Sequence, residues 1–176
     1  VYDRVLGDTE RQQTERYLAD KWGLSVSGAA GPAMAASPLA WFDATSSSDL
    51  VTNGQICDSS VTAWRSSVGT GVLSPRNGAA AAHVDPDGFA GRPAVVTNGR
   101  NSLVNTALSL PGDATVFVVA RPLSWSNRIL SSTGNNWLLG WWAGRQDVAH
   151  FDGWVGPWIA PPATANQQIA MMYSAV

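Results

Sequence analysis

Val1-Tyr-Asp-Arg-Val-Leu-Gly-Asp-Thr-Glu-Arg-Gln-Gln-Thr-Glu-Arg-Tyr-Leu-Ala-Asp-Lys-Trp-Gly-Leu24 reads as the end of a domain placed at the front of the chain. Its first six residues alternate like a closing strand, and Gly7-Asp8-Thr9 punctuates them. Asp8 or Thr9 is expected to cap a helix, because a short oxygen-bearing side chain accepts from the free amides of the first turn. Tyr17, Leu18 and Trp22 fall on the helical repeat that buries one face. Gly23 is expected to end the helix in the left-handed conformation, and Lys21 lies in the last turn, where the helix dipole favours positive charge.

Residues 25–37 are almost entirely Ser, Ala, Gly and Pro, which have too little apolar bulk to offset the entropy of ordering, so they read as a linker. Residues 38–176 consist of short apolar runs separated by Gly, Asn, Asp and Pro, without helical periodicity. This portion is read as all-β. Strands are expected near residues 39–43, 61–65, 93–98, 103–108, 114–121, 128–132, 137–142, 147–151, 154–159 and 168–173. Asn53-Gly54, Asn77-Gly78, Asp87-Gly88, Asn98-Gly99, Pro111-Gly112, Gly134-Asn135 and Asp152-Gly153 are expected to supply the positive φ angles of the turns. Thr115-Val-Phe-Val-Val-Ala120 is nearly continuous in apolar residues, as a strand covered on both faces should be. Ten strands at this spacing predict two packed antiparallel sheets.

A chain of 176 residues usually makes one domain and needs no disulfide or metal for stability. Cys57 is the single cysteine, so no intramolecular bridge or cysteine metal cluster can form, and a buried small hydrophobe is its expected role. The net charge is −2 with 14% charged residues, which argues against a nucleic-acid partner or an anionic membrane surface. No apolar run approaches the roughly 18 residues of a membrane span, and the start lacks the layout of a secretory signal. An extracellular location would then depend on a further part of the protein or on assembly into a particle. Ten Arg against one Lys, with abundant Ala and Gly, match a GC-rich genome.

The opening segment, with its Lys21-Trp22-Gly23-Leu24 ending, resembles the C-terminal signature of concanavalin A-like, laminin G-like jelly-roll modules of bacterial surface proteins and phage virion proteins. From Pro38 onward the chain resembles the beginning of such a module. Leu39-Ala-Trp41-Phe-Asp43 resembles the family's first strand and Val61-Thr-Ala-Trp64 its second. Gly88-Phe-Ala-Gly91-Arg-Pro93-Ala-Val95 with Asn98-Gly99-Arg-Asn101-Ser-Leu103 resembles the middle, and Thr115-Val-Phe-Val-Val-Ala-Arg-Pro122 the core strand after it. The resemblance implies an all-β, two-sheet antiparallel jelly-roll sandwich with one short N-terminal helix. Tail precedes head, and the last residues read as an inner strand without its continuation. Two arrangements fit this order. One is a segment of a tandem protein, holding the last strand and helix of one module (1–24), a linker (25–37) and most of the next module (38–176). The other is a permuted domain, in which the first six residues pair inside the sheet of the later strands. A start without Met fits an excised chain, and equally one whose initiator Met is removed by processing.

Glucanases of this fold place two glutamates about 5 Å apart as nucleophile and acid/base. Glu10 and Glu15 are the only glutamates in the chain and lie on different faces of the expected helix, so that mechanism is not expected. His83 and His150 stand far apart, outside any nucleophile elbow or metal-binding spacing, and no glycine-rich phosphate loop lies between a strand and a helix. Asp85-Pro-Asp87-Gly88 offers hard oxygen ligands, which makes Ca²⁺ the one candidate ion, although two carboxylates in a turn are more often a solvated turn.

The tryptophans remain. Trp137, Trp141, Trp142, Trp154 and Trp158 fall within 22 residues, with Trp125 just before. On a strand Trp137 and Trp141 share one face while Trp142 takes the other, so some are expected to be exposed. Beside Asn135, Asn136, Arg145 and Asp147 such rings can stack on sugars or anchor a protein interface; packing between sheets is the alternative. Trp22, Trp41 and Trp64 are assigned to packing. The expected function is a non-enzymatic surface module of a phage virion or extracellular assembly. Its partners would be a glycan or host-surface component, or neighbouring subunits. A purely structural spacer and an ancillary carbohydrate-binding domain of a secreted bacterial hydrolase are the alternatives.

Overall fold

The computed structural model describes residues 1–24, 37–54, 59–76, 82–110, 114–121, 128–134, 138–142, 145–150, 154–155 and 169–175. Among the described residues the protein is predominantly β, built from antiparallel sheets with one helix. The helix is α1 (Asp8–Trp22). The strands are β1 (Leu50–Thr52), β2 (Val61–Arg65), β3 (Val72–Pro75), β4 (His83–Phe89), β5 (Arg92–Val96), β6 (Leu103–Val104), β7 (Ala114–Ala120), β8 (Arg128–Ser131), β9 (Leu138–Trp142), β10 (Arg145–His150), β11 (Trp154–Val155) and β12 (Ile169–Ala175). They form two four-stranded sheets, β1-β2-β3-β6 and β11-β10-β9-β8, and two pairs, β12-β7 and β4-β5. The chain divides into two compact units, Val1–Phe117 with Met172–Val176, and Val118–Met171.

In the first unit, α1 forms as its sequence predicts, apart from its N-terminus. Gly7 is the N-cap, so Asp8 and Thr9 are the first helical residues and neither caps. The expectation fails because Glu10 provides the contact from inside the helix. Its carboxylate accepts the Gly7 N–H at 3.2 Å and grips the Arg4 guanidinium through two bonds of 2.6 and 2.8 Å, which is the half of a capping box that the N3 residue supplies. At the other end Gly23 has φ 66°, and the Leu24 N–H reaches back to the Ala19 carbonyl at 2.9 Å, as expected of a left-handed glycine stop. The buried face is Thr14, Leu18, Ala19 and Trp22; Tyr17 lies at its margin, only half-buried.

Residues 1–24 are fastened to the rest of this unit. Tyr2 and Thr115 exchange both backbone hydrogen bonds, at 2.8 and 3.1 Å, in an antiparallel bridge to β7. The buried Thr115 hydroxyl takes the Leu6 N–H at 3.1 Å and donates to the Arg4 carbonyl at 2.9 Å. Tyr2 sets its ring edge-on to Phe117 at 6.0 Å, and Trp22 does the same to Phe89 at 5.7 Å. Lys21 pairs with Asp43 and lies 5.8 Å from the Trp41 ring, which also meets Tyr17. A buried leucine such as Leu18 adds about 1.5–3 kcal/mol to this packing.

Several expected elements take another form. Residues 39–43 are not a strand. Leu39 and Ala40 both donate to the Val1 carbonyl, Trp41 N–H goes to the Ser66 hydroxyl, and the Trp41 carbonyl accepts from Ser67, so side chains and turns satisfy the backbone that a ladder would otherwise pair. The run expected at 103–108 stops at Val104, because the Asn105 side chain takes the Ala107 and Leu108 N–H groups and turns the chain. Three strands, β1, β3 and β4, were not expected. The last contains Asp85-Pro86-Asp87-Gly88 inside the strand. A bulge absorbs the breakers: Asp85 opposes Ala94 and Phe89 opposes Arg92, four residues against two. Gly88 has no positive φ. It is glycine because a Cβ there would lie 2.9 Å from that of Ala94. The turn falls at Ala90-Gly91 instead, with φ 50° and 69°, the pair of left-handed residues that suits a two-residue hairpin. Gly54 and Gly99 do supply positive φ as expected.

β7 opens with Ala114, Thr115 and Val116 all buried, so its first half is covered on both faces as predicted. The second unit holds the meander β8-β9-β10-β11. Consecutive residues Leu138 and Leu139 of β9 are both buried, at 3% and 1% exposure, so both faces of that strand are covered too. Register shifts on both neighbours converge on Gly140, which pairs with Arg128 and with Val148 and has φ 149°. Among the described residues no helix is long and apolar enough to cross a membrane.

Candidate functional site

The aromatic candidates fall in the second unit, where the backbone register places them. Trp141 and Trp142 end β9, Arg145 begins β10 directly opposite Trp142, and Trp154 begins β11 opposite His150. His150 in turn pairs with Leu138. Three adjacent strands thus carry Trp141, Trp142, Arg145 and Trp154. Trp125, Asn135, Asn136, Trp137 and Trp158 lie outside the described residues, as does Cys57. Cross-strand neighbours are the unit through which a sheet presents side chains together, and here the β9–β10 register brings an arginine opposite a tryptophan.

Asp85 and Asp87 sit two apart in the bulge of β4, the first half-buried and the second exposed. The Asp85 carboxylate accepts the Asp87 N–H at 3.0 Å, so it shapes the bulge, which is an ordinary local use of an aspartate. Among the described residues no group of three or more His, Cys, Asp and Glu side chains is placed to hold a metal ion. His83 opens β4 in an isolated bridge to Ser60. Glu10 and Glu15 are both engaged on the helix, with Arg4 and Arg11 respectively.

No family model, curated protein or solved structure matches the chain.

A second polar feature was not anticipated. Trp64 of β2 meets Phe42 edge-on at 5.8 Å, as a packing tryptophan should. Its buried indole N–H, however, has no hydrogen-bond partner among the described residues, and neither does the buried amide nitrogen of Asn105. The Asn105 amide cannot simply be turned round, because its oxygen accepts from Ala107 and Leu108, both at 2.9 Å. The Asn105 nitrogen and the Phe42 ring both lie beside Gly71, where an added Cβ would come within 3.0 and 3.4 Å of them. Buried donors normally have partners, so this corner suits an oxygen acceptor. Nothing in the spacing of Phe42, Trp64 and Asn105 signals it, because it depends on the Asn105 turn meeting the β2–β3 hairpin.

The Arg4–Glu10 and Lys21–Asp43 pairs of the first unit brace the helix. Burial alone would raise the Asp43 pKa. The hydrogen bonds from Lys21 and Thr45 outweigh it and hold the carboxyl below its ordinary value. The hydrogen bond from Arg4, assisted by the Gly7 N–H, lowers Glu10 to about 2. Such shifts mark structural ion pairs as readily as active sites. Here each partner belongs to residues 1–24 or to the 39–45 segment they touch.

Proposed function

We propose that this chain is a non-enzymatic, laminin G-like jelly-roll module of a phage virion or other extracellular assembly, with adhesion to a host-surface glycan as its task. The observation that carries the reading is the register of the second unit, which gathers Trp141, Trp142, Arg145 and Trp154 on three neighbouring strands. Aromatic rings stack on the apolar faces of sugars, and an arginine fork binds their hydroxyls or carboxylates. The largely antiparallel architecture with a single helix is compatible with the sandwich that the proposal requires. Because a fold hosts many functions, the proposal rests on this sheet and not on the architecture.

A glycan array probed with the whole chain, followed by titration of its best ligand against Trp142→Ala and Arg145→Ala, tests the reading. At least one glycan class should bind, and each variant should weaken it tenfold or more. An array without ligands would sink the adhesive role and leave the structural spacer, and variants that bind like the parent would remove Trp142 and Arg145 from the binding site.

A further inference from the structure

The connection between β5 and β6, residues 97–102, brings together the parts of a reaction that needs no second molecule except water. We infer that Asn98 is a self-modification site. Its side-chain amide closes an imide ring with the backbone nitrogen of Gly99, and water opens that ring to aspartate and isoaspartate. This goes beyond the adhesive reading and does not depend on it.

Sequence and geometry both carry the inference. Asn98 is followed by glycine, as are Asn53 and Asn77, and a glycine nitrogen has no neighbouring Cβ to hinder its approach. In the structure the Asn98 side-chain oxygen accepts the Arg100 N–H at 2.9 Å. This bond from a side chain to the backbone two residues on bends the amide over the Gly99 peptide and holds its carbon, Cγ, beside the Gly99 nitrogen. Reacting atoms held together in this way have already lost the freedom that an encounter would otherwise cost. The same oxygen is the atom on which negative charge develops when nitrogen adds to Cγ, so the Arg100 N–H is a fixed donor to that oxyanion. The turn is held from its far end as well. The side-chain oxygen of Asn101, a residue only 8% exposed, accepts the Asn98 N–H at 3.0 Å. Thr97, Asn98, Gly99 and Arg100 are all exposed, so hydroxide and water reach the reacting atoms. Asn53, at the end of β1, instead ties its own N–H to the Ser60 carbonyl in the sheet at 3.0 Å.

The chemistry balances with water alone. Hydroxide takes the proton of the Gly99 nitrogen, which bonds to Asn98 Cγ. The Cγ–Nδ2 bond then breaks, and ammonia leaves with a proton from water. Water next adds to one of the two imide carbonyls. Addition at Cγ restores the ordinary main chain and leaves aspartate. Addition at the backbone carbonyl carbon leaves isoaspartate, whose main chain runs through Cβ and Cγ and lengthens the path from β5 to β6 by one carbon. Either product adds one negative charge to the net −2 of the chain.

The three Asn-Gly sites can be compared within one sample. The whole chain is aged at neutral pH and mapped by peptide mass spectrometry, with fragmentation that separates aspartate from isoaspartate. Asn98 should convert about tenfold or more faster than Asn53, a modest part of what one fixed oxyanion donor contributes. In urea, where the turn is lost, the three sites should convert at similar rates. Asn98→Ser keeps a side-chain oxygen for the turn but has no amide to lose; it should abolish the Asn98 share of the released ammonia and leave conversion at Asn53 unchanged. Slower conversion of Asn98 in the folded chain than in urea would mean that the turn protects the amide, and would overturn the inference. Equal rates at Asn98 and Asn53 in the folded chain would do the same.

Discussion

The Thr115 hydroxyl is the most concentrated point of attachment between the opening segment and the sheet, and replacing it tests that attachment without changing side-chain shape. Thr115→Val keeps the volume and the β-branching but removes an oxygen that accepts the Leu6 N–H at 3.1 Å and donates to the Arg4 carbonyl at 2.9 Å. Thr115 is 1% exposed and Leu6 6%, so water cannot replace the lost partner at the Leu6 amide. A hydrogen bond contributes about 1 kcal/mol net, and a buried group left unpaired costs a further 1–3 kcal/mol or so. The Arg4 carbonyl lies in a half-buried bond and loses less. The sum is a destabilisation of about 2–4 kcal/mol. In urea, with a slope of about 2 kcal/mol/M, the unfolding midpoint should fall by roughly 1–2 M at unchanged slope. Thr115→Ser retains the oxygen and should lose about half of that or less, through its missing methyl group. If Thr115→Val matches the parent, or if Ser and Val fall together, the hydroxyl does not hold residues 1–24 in place and the docking geometry is wrong.

Ala90 occupies the left-handed region at φ 50° in an exposed turn, where alanine is strained by roughly 1 kcal/mol; Ala90→Asn, which tolerates that conformation and completes an Asn-Gly hairpin turn, should raise the melting temperature by about 2 °C in calorimetry. Asp43 and Glu10 both have depressed pKa values, so the stability they add is present above the ordinary carboxylate range and disappears as pH falls. For Glu10 that loss runs from the ordinary carboxylate range down to about pH 2. Acid titration should therefore detach α1, read by loss of Trp22 burial in fluorescence, only below about pH 4, and Asp43→Asn should flatten the upper part of that profile.

The sequence and the structure agree where a signal is local. Gly23 closes α1, Val61–Arg65 is the strand that its alternation predicts, and the apolar run at Thr115 is buried on both faces where it begins. They part where a distant partner overrides the local signal. Asp87-Gly88 carries the strongest turn chemistry in its neighbourhood, yet pairing with β5 holds it in a bulged strand and moves the turn to Ala90-Gly91. Residues 39–43 have strand composition, but their backbone groups go to Val1 and to the Ser66 hydroxyl. For the candidate site, the clustering of tryptophans is legible in the chain, whereas the opposition of Trp142 to Arg145 requires the hairpin register. The unpaired donors of Trp64 and Asn105 were illegible for the same reason, since their isolation arises only when two separate turns meet.

Lys21 is the only lysine in the chain, and its side chain is 19% exposed where it pairs with Asp43. The protein therefore carries a built-in chemical clock for the docking of its first helix. An amine-reactive ester can acylate that side chain freely only while α1 is lifted away, so peptide mapping of the adduct over time reads the opening rate at a single position. Acylation also removes the charge that balances Asp43, so the reagent that records an opening event also hinders the return.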